Sequence, residues 1–217
     1  MSLRRILALA IATLGFMASG ANAQQQPFTI LSPAQPTDGS GKIEVIEFFS
    51  YACGHCYTLE PFLESWAAKM PADVVFKRVP GVGSSAWTEL GKIYYTIEAM
   101  GKLDALHRKA FDAMHKDNVN LVNPKTRYDW VAKLGVDANQ FQEVEKSFSV
   151  QSKLKRAGQL MGSYKVDGVP MLVVNGKYVT SAGHAGGATK VVPVLENLIA
   201  MARKDMGGAA PAAAAKK

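Results

Sequence analysis

The spacing of apolar and polar positions along this chain changes several times, and each change marks an element. Ile43 to Phe49 is an apolar, β-branched run bounded by Gly41 before it and small residues after it, the pattern of a buried strand. Behind it, Leu59, Phe62, Leu63, Trp66 and Met70 recur at helical spacing, which predicts a helix over 53–69 with Pro61 kinking it from inside. A second apolar run, Val74 to Val79, follows the turn Pro71-Ala72-Asp73. Strand, helix and strand in that order predict a parallel pair joined by a right-handed crossover.

From Gly83 the period is helical throughout. Leu90, Ile93, Tyr94 and Ile97 mark one amphipathic helix, and Leu103, His107, Ala110, Phe111 and Met114 a second. Asn123-Pro124 reads as a helix start with Pro at the first position, Trp130, Val131 and Leu134 as its stripe, and Gly135 as its stop. Asp137 with Gln140 opens a short helix around Phe141 and Val144, and Leu154, Ala157, Gly158 and Met161 carry another. Strand signals return at Met171 to Val174, turn at Asn175-Gly176, and come back through Tyr178, Val179 and Thr180, a hairpin. Val191, Val192, Val194, Leu195, Leu198 and Ile199 form one face of a closing helix that ends near Met206.

The ends have a different character. Arg4 and Arg5, the apolar run Ile6 to Ala18 and the small-x-small triplet Ala21-Asn22-Ala23 have the layout of an export signal cleaved after residue 23. The run is too short for a membrane anchor, which takes about 20 apolar residues. No later stretch is long enough to span, so a soluble mature protein starting at Gln24 is expected. Gln24 to Lys42 is polar and Pro/Gly-rich except around Phe28, Ile30 and Leu31, where one edge strand fits, and residues 207–217 are expected to be a disordered tail. The pattern divides the mature chain into an α/β domain over 24–82 and 163–206, interrupted by a helical insertion over 83–162.

Net charge is +7, falling to +5 without Arg4 and Arg5, and the remaining cations are interspersed with acids. They read as solvated helix faces, not a nucleic-acid footprint. The cysteines carry more information. An exported protein meets an oxidising compartment, yet this chain has two Cys, and they are Cys53 and Cys56. A structural staple gains from closing a long loop, and this pair closes almost none, so the pair points to exchange chemistry.

Their position supports that reading. Cys53 falls where a strand hands over to a helix N-terminus, where free N–H groups and the helix dipole favour a thiolate, which makes it the candidate nucleophile. Cys56, one turn further in, is the candidate resolving thiol. His55 lies between them and can stabilise the Cys53 thiolate. Glu47 is an acid inside an apolar strand. His107 lies on an apolar helix face and reads as a packed core histidine, while His115 and His184 show no partner spacing; the histidine spacing of a zinc site is absent and no metal is expected. Met161 and Met171 fit core filling first and an adaptable apolar groove second.

The strand–helix–strand and hairpin–helix pattern, with Cys-x-x-Cys at the first junction, resembles the thioredoxin fold. Ile46-Glu47-Phe48-Phe49-Ser50 before the cysteines, Gly168-Val169-Pro170 before an apolar strand, Val174-Asn175-Gly176-Lys177-Tyr178 and the helical insertion make it similar to the exported DsbA family of thiol:disulfide oxidants, over nearly all of 42–206. The resemblance implies a thioredoxin-like fold interrupted by an all-helical inserted domain. It also implies a cis Val169–Pro170 bond facing the cysteines, with the Val169 backbone free to pair with substrate, and a buried Glu47 able to relay protons. The implied activity is donation of the Cys53–Cys56 disulfide to exported, folding proteins with free thiols in the periplasm. No cofactor beyond that disulfide is implied, and a DsbB-like, quinone-linked membrane partner would restore it. A monomer is expected.

Gly54-His55 departs from the Pro-His common in that family and matches protein disulfide isomerase, whose potential is about −180 mV against about −120 mV for DsbA itself. A weaker oxidant is therefore expected. The competing readings are a disulfide isomerase or reductase, and a chaperone-like binding module with an inert disulfide. Isomerases of this fold carry an N-terminal dimerisation domain, for which Gln24 to Lys42 is too short.

Overall fold

A computed structural model describes residues 26–38 and 41–207; the export signal read over 1–23 and residues 208–217 of the expected tail lie outside the described residues. The strands are β1 (Thr29–Ile30), β2 (Ile43–Phe49), β3 (Val74–Pro80), β4 (Met171–Val174) and β5 (Tyr178–Thr180), in one sheet of order β1-β5-β4-β2-β3. β2 is parallel to β3, from Ile43 opposite Val74 to Phe49 opposite Pro80, and antiparallel to β4. Helices cover both of its faces, and all seven of its residues are buried. That is why it reads as a mainly apolar run, interrupted at Glu44 and Glu47, instead of an alternation.

Two cores follow from the pleat. Val45 faces one side, with Leu59 and Leu63 of α1 (Gly54–Ala67) and Leu195 and Leu198 of α8 (Ala188–Asp205). Ile46 and Phe48 face the other, in one cluster with Leu90, Ile93, Leu106, Phe111 and Leu154. These come from the helices between β3 and β4: α2 (Ser85–Ala99), α3 (Leu103–His115), α4 (Pro124–Lys133), α5 (Ala138–Lys146) and α6 (Phe148–Ser163). Ser84, Asn123, Asp137 and Ser147 cap α2, α4, α5 and α6, each accepting a backbone N–H that the first helical turn leaves unpaired.

The structure shifts some sequence boundaries. The first helix begins at Gly54 with Cys53 as its cap, and ends at Ala67 instead of Lys69. The leader strand is two residues long and pairs antiparallel with β5. α7 (Ala182–Ala185) is a single turn whose four residues are too few to display an apolar period. The hairpin is as expected: Asn175 and Gly176 have φ of 51° and 68°, the left-handed pair of a tight turn. Gly176 is required for a second reason, because a Cβ there would lie 2.0 Å from the Gln35 carbonyl oxygen, where the leader crosses the turn.

Candidate active site

The C-terminal end of β2 delivers the chain through Ser50–Ala52 into α1. The Cys53 N–H donates to the Ser50 carbonyl at 3.0 Å, which closes the turn and leaves Cys53 extended (φ −89°, ψ 114°) as the helix N-cap. Its Sγ accepts the Cys56 N–H at 3.4 Å and donates to the Val169 carbonyl at 3.3 Å. Both cysteines are free thiols here, so these contacts describe the reduced pair.

The two sulfurs occupy opposite environments. Cys53 is half-buried, and its pKa is lowered to about 6. The largest cause is the hydrogen bond from the Cys56 thiol; the backbone N–H groups of Cys56 and His55 and the charge of His55 add to it, against partial burial. Cys56 is fully buried, and burial first, then the bond it gives Cys53 and the nearby Glu47 charge, push its thiol far up. One sulfur therefore leaves readily as a thiolate, while the other holds its proton. His55 is exposed at the rim.

Val169 and Pro170 approach from the other half of the chain, and the Val169–Pro170 bond is cis. With His55 and Thr58 of α1, Leu31 of the leader, Met171, and Ser181 to His184 at α7, they line a groove of about 860 Å³. Its apolar floor and few polar edges suit an extended peptide. Met171 lines it; Met161 instead accepts the Val82 N–H on its sulfur at 3.2 Å.

Beneath the cysteines lies a buried charged cluster. Glu47, wholly inaccessible, takes Arg78 Nε at 3.1 Å, and Arg78 Nη2 reaches Glu60 of α1 at 2.5 Å. Burial and then the Glu60 charge raise the Glu47 carboxyl to about 8, against the opposing pull of Arg78. Among the described residues no group of His, Cys, Asp and Glu could hold a metal ion, and no helix is long and apolar enough to cross a membrane.

Sequence reading missed Glu60, Arg78, Tyr51 and the role of two histidines. His107 is buried as expected, but it also makes polar contacts: Nδ1 is 2.8 Å from the Tyr51 hydroxyl. His115, without metal-partner spacing in the sequence, has a structural tie: its Nε2 donates to the Tyr51 carbonyl at 2.8 Å while its ring stacks on Tyr57. These two residues, eight apart on α3, tie the helical segment to both ends of Tyr51, two positions before the nucleophile. The one sequence signal was that both fall on the same face of α3, two turns apart.

Known proteins give the same picture. Residues 63–191 match the family model described as a DSBA-like thioredoxin domain. The thiol:disulfide interchange protein DsbA of Bordetella parapertussis is 42% identical over 201 residues, 91% of this chain and 94% of that protein. That of Pseudomonas aeruginosa is 38% identical over 193 residues, 88% of this chain and 92% of its own. The crystal structure of P. aeruginosa DsbA superposes with a TM-score of 0.80 at 37% identity, covering 84% of this chain and 95% of that one. Reduced DsbA1 of Neisseria meningitidis gives 0.72 at 26% identity, covering 85% and 96%.

Proposed function

The chain belongs to the DsbA family and is a thiol:disulfide oxidoreductase, and from that premise we propose that it donates the Cys53–Cys56 disulfide to newly exported proteins in the periplasm. The observation that carries this direction is the asymmetry of the two sulfurs: a half-exposed Cys53 with its pKa near 6 beside a buried Cys56 held as a thiol.

A substrate thiolate attacks Cys53 Sγ, and the Cys53–Cys56 bond breaks with its electron pair going to Cys56, which takes up a proton. A second substrate thiolate then attacks the substrate sulfur of the mixed disulfide, and Cys53 departs as a stabilised thiolate. Two electrons and one net proton have entered the protein, and the substrate holds a new disulfide. The Val169 backbone, beside Cys53 in the groove, would align the substrate strand, and Glu47 would exchange the proton that Cys56 gains and loses. The disulfide is itself the oxidant, with no further cofactor, and a DsbB-like membrane protein linked to quinone would withdraw the two electrons. The working unit is taken to be a monomer.

The decisive experiment equilibrates the Cys53–Cys56 pair in glutathione buffers and follows thiolate absorbance against pH. A donor gives a potential well above the roughly −270 mV of thioredoxin and a thiolate that disappears as pH falls through about 6. A strongly reducing pair with an ordinary thiol near 8.5 would reassign the protein as a reductase. Cys53→Ser tests the binding-module alternative, since a binder keeps its function and an oxidant loses it entirely.

A further inference from the structure

His107 sits under the active-site turn with its ring against Phe49, Tyr51, Tyr94 and Phe111, at centroid separations of 5.3, 5.4, 5.7 and 5.3 Å. Such a pocket would accept a phenylalanine, yet both ring nitrogens face polar atoms. Nδ1 meets the Tyr51 hydroxyl at 2.8 Å, and Nε2 lies 3.3 Å from Glu60 Oε1, within ion-pair reach though off the line of a straight hydrogen bond. The same Glu60 oxygen receives Arg78 Nη2, whose guanidinium continues through Nε to Glu47. Tyr51, His107, Glu60, Arg78 and Glu47 thus form one chain of contacts drawn from a turn, α3, α1, β3 and β2. Tyr51, His107, Glu60 and Glu47 are between 0% and 6% exposed, and the second carboxyl oxygens of Glu47 and Glu60 have no protein partner.

Two carboxyl groups here share one guanidinium, away from water. We propose that His107 is a positioning residue for the dithiol chemistry: by holding its Nε2 hydrogen beside Glu60 it leaves Arg78 free to hold Glu47, and so sets the charge of the carboxyl beneath the cysteines. The proposal rests on Cys53–Cys56 being the redox pair. The Tyr51 hydroxyl selects the tautomer. When it donates to Nδ1, the ring's one proton is on Nε2, on the side of Glu60 and 3.3 Å from it though not in line; the reverse arrangement would set a bare nitrogen lone pair against a carboxylate. Burial lowers the pKa of His107, against the pull of Glu60, which keeps the ring neutral and this choice meaningful. The groups that face Glu47 are Cys53 at the cap of α1, Cys56 and Glu60 from α1, Arg78 from β3, Tyr94 from α2 and Tyr51 from the turn; its neighbour in register on β4 is Leu172, without charge. Those facing His107 are Glu60, Arg78, Arg108, Tyr51 and Tyr94.

The test measures the reduction potential of the full chain against pH from 6 to 9.5, where ionisation of Glu47 bends the profile. His107→Phe removes the donor, draws Arg78 toward Glu60 and moves the bend upward by about one pH unit, the equivalent of one hydrogen bond to a charged group. His107→Gln keeps an amide donor and returns the bend toward its original place. In a Glu47→Gln background the bend is absent, and His107→Phe then leaves the profile unchanged. Should His107→Phe not fold, Tyr51→Phe decides, because it deletes only the hydroxyl that selects the tautomer and shifts the bend the same way. An unmoved bend in the variant that folds would show His107 to be packing alone, and a wild-type profile with no Glu47-dependent bend would also overturn the proposal. Failure of the redox reading itself is distinct: it would appear in the wild type as the absence of a glutathione equilibrium.

Discussion

Glu44 and Glu47 stand three residues apart on β2, both buried, yet the two ends of the strand treat them differently. Near the start, Glu44 takes Lys77 at 2.5 Å, and that lysine, about a third exposed, also approaches the exposed Asp38 at 3.7 Å. At the catalytic end Glu47 shares Arg78 with Glu60, and its inner oxygen has no protein partner. A cation in touch with water, whose second acid lies at the surface, makes an anchor. One cation between two wholly buried acids makes a carboxyl that keeps its proton up to about pH 8 beside a sulfur that must gain and lose one.

Removing the shared cation breaks the comparison most severely. Arg78→Met leaves two buried carboxyl groups without a counter-charge and is expected to destabilise the protein by about 3–5 kcal/mol in denaturant titration. Next comes Glu47→Gln. The folded carboxyl, at about 8, lies above its ordinary 4.5, so the native state binds a proton that the unfolded chain releases between those values. The wild type therefore loses stability progressively from pH 4.5 to 8 and the loss is complete above 8. The glutamine variant, which escapes it, should gain on the wild type by about 1.4 kcal/mol per pH unit across that window; less the roughly 1.5–3 kcal/mol of its weakened bond to Arg78, it ends about 2–3 kcal/mol the more stable at pH 9. A variant no more stable at pH 9 than at pH 5, relative to wild type, would mean Glu47 is ionised throughout.

Lys77→Met at the anchoring end should cost only about 1 kcal/mol, since its partly exposed ammonium is replaceable by solvent. The smallest effect lies on the open side of the active-site turn. Gly54 is exposed, its φ is not left-handed, and a Cβ there meets nothing within 4 Å, so Gly54→Pro at the first helical position should stabilise by about 0.4–1 kcal/mol. The same variant tests the dipeptide directly: a potential raised by up to about 60 mV would attribute the expected weaker oxidant to Gly54, and an unchanged potential would attribute it elsewhere.

Most of the fold was legible because its signals are local. The apolar run of β2, the stripe of α1, the Asn123 cap before Pro124 and the Asn175-Gly176 turn each rest on neighbours within a few positions, and each is where the sequence placed it. α7 was not legible, since one turn has no period to detect, and the two-residue β1 exists only because β5 offers an edge for it. Of the site, Cys53, Cys56 and His55 were legible for the same local reason, the strand–turn–helix that carries them. Glu60 looked like one more polar residue of an amphipathic helix, and Arg78 like one more strand cation.

The order of residues alone thus determined that a thiol would sit at a helix start, with a second thiol one turn behind it, because strand and helix propensities and caps act over distances of a few residues. Only the tertiary structure decided what surrounds them. It brought Val169 to 3.3 Å from Cys53 across 116 positions, and drew Glu47, Glu60, Arg78 and His107 from four elements into one largely buried cluster. Burial and charge proximity depend on packing in three dimensions, and those are the terms that set the affinity of each group for its proton.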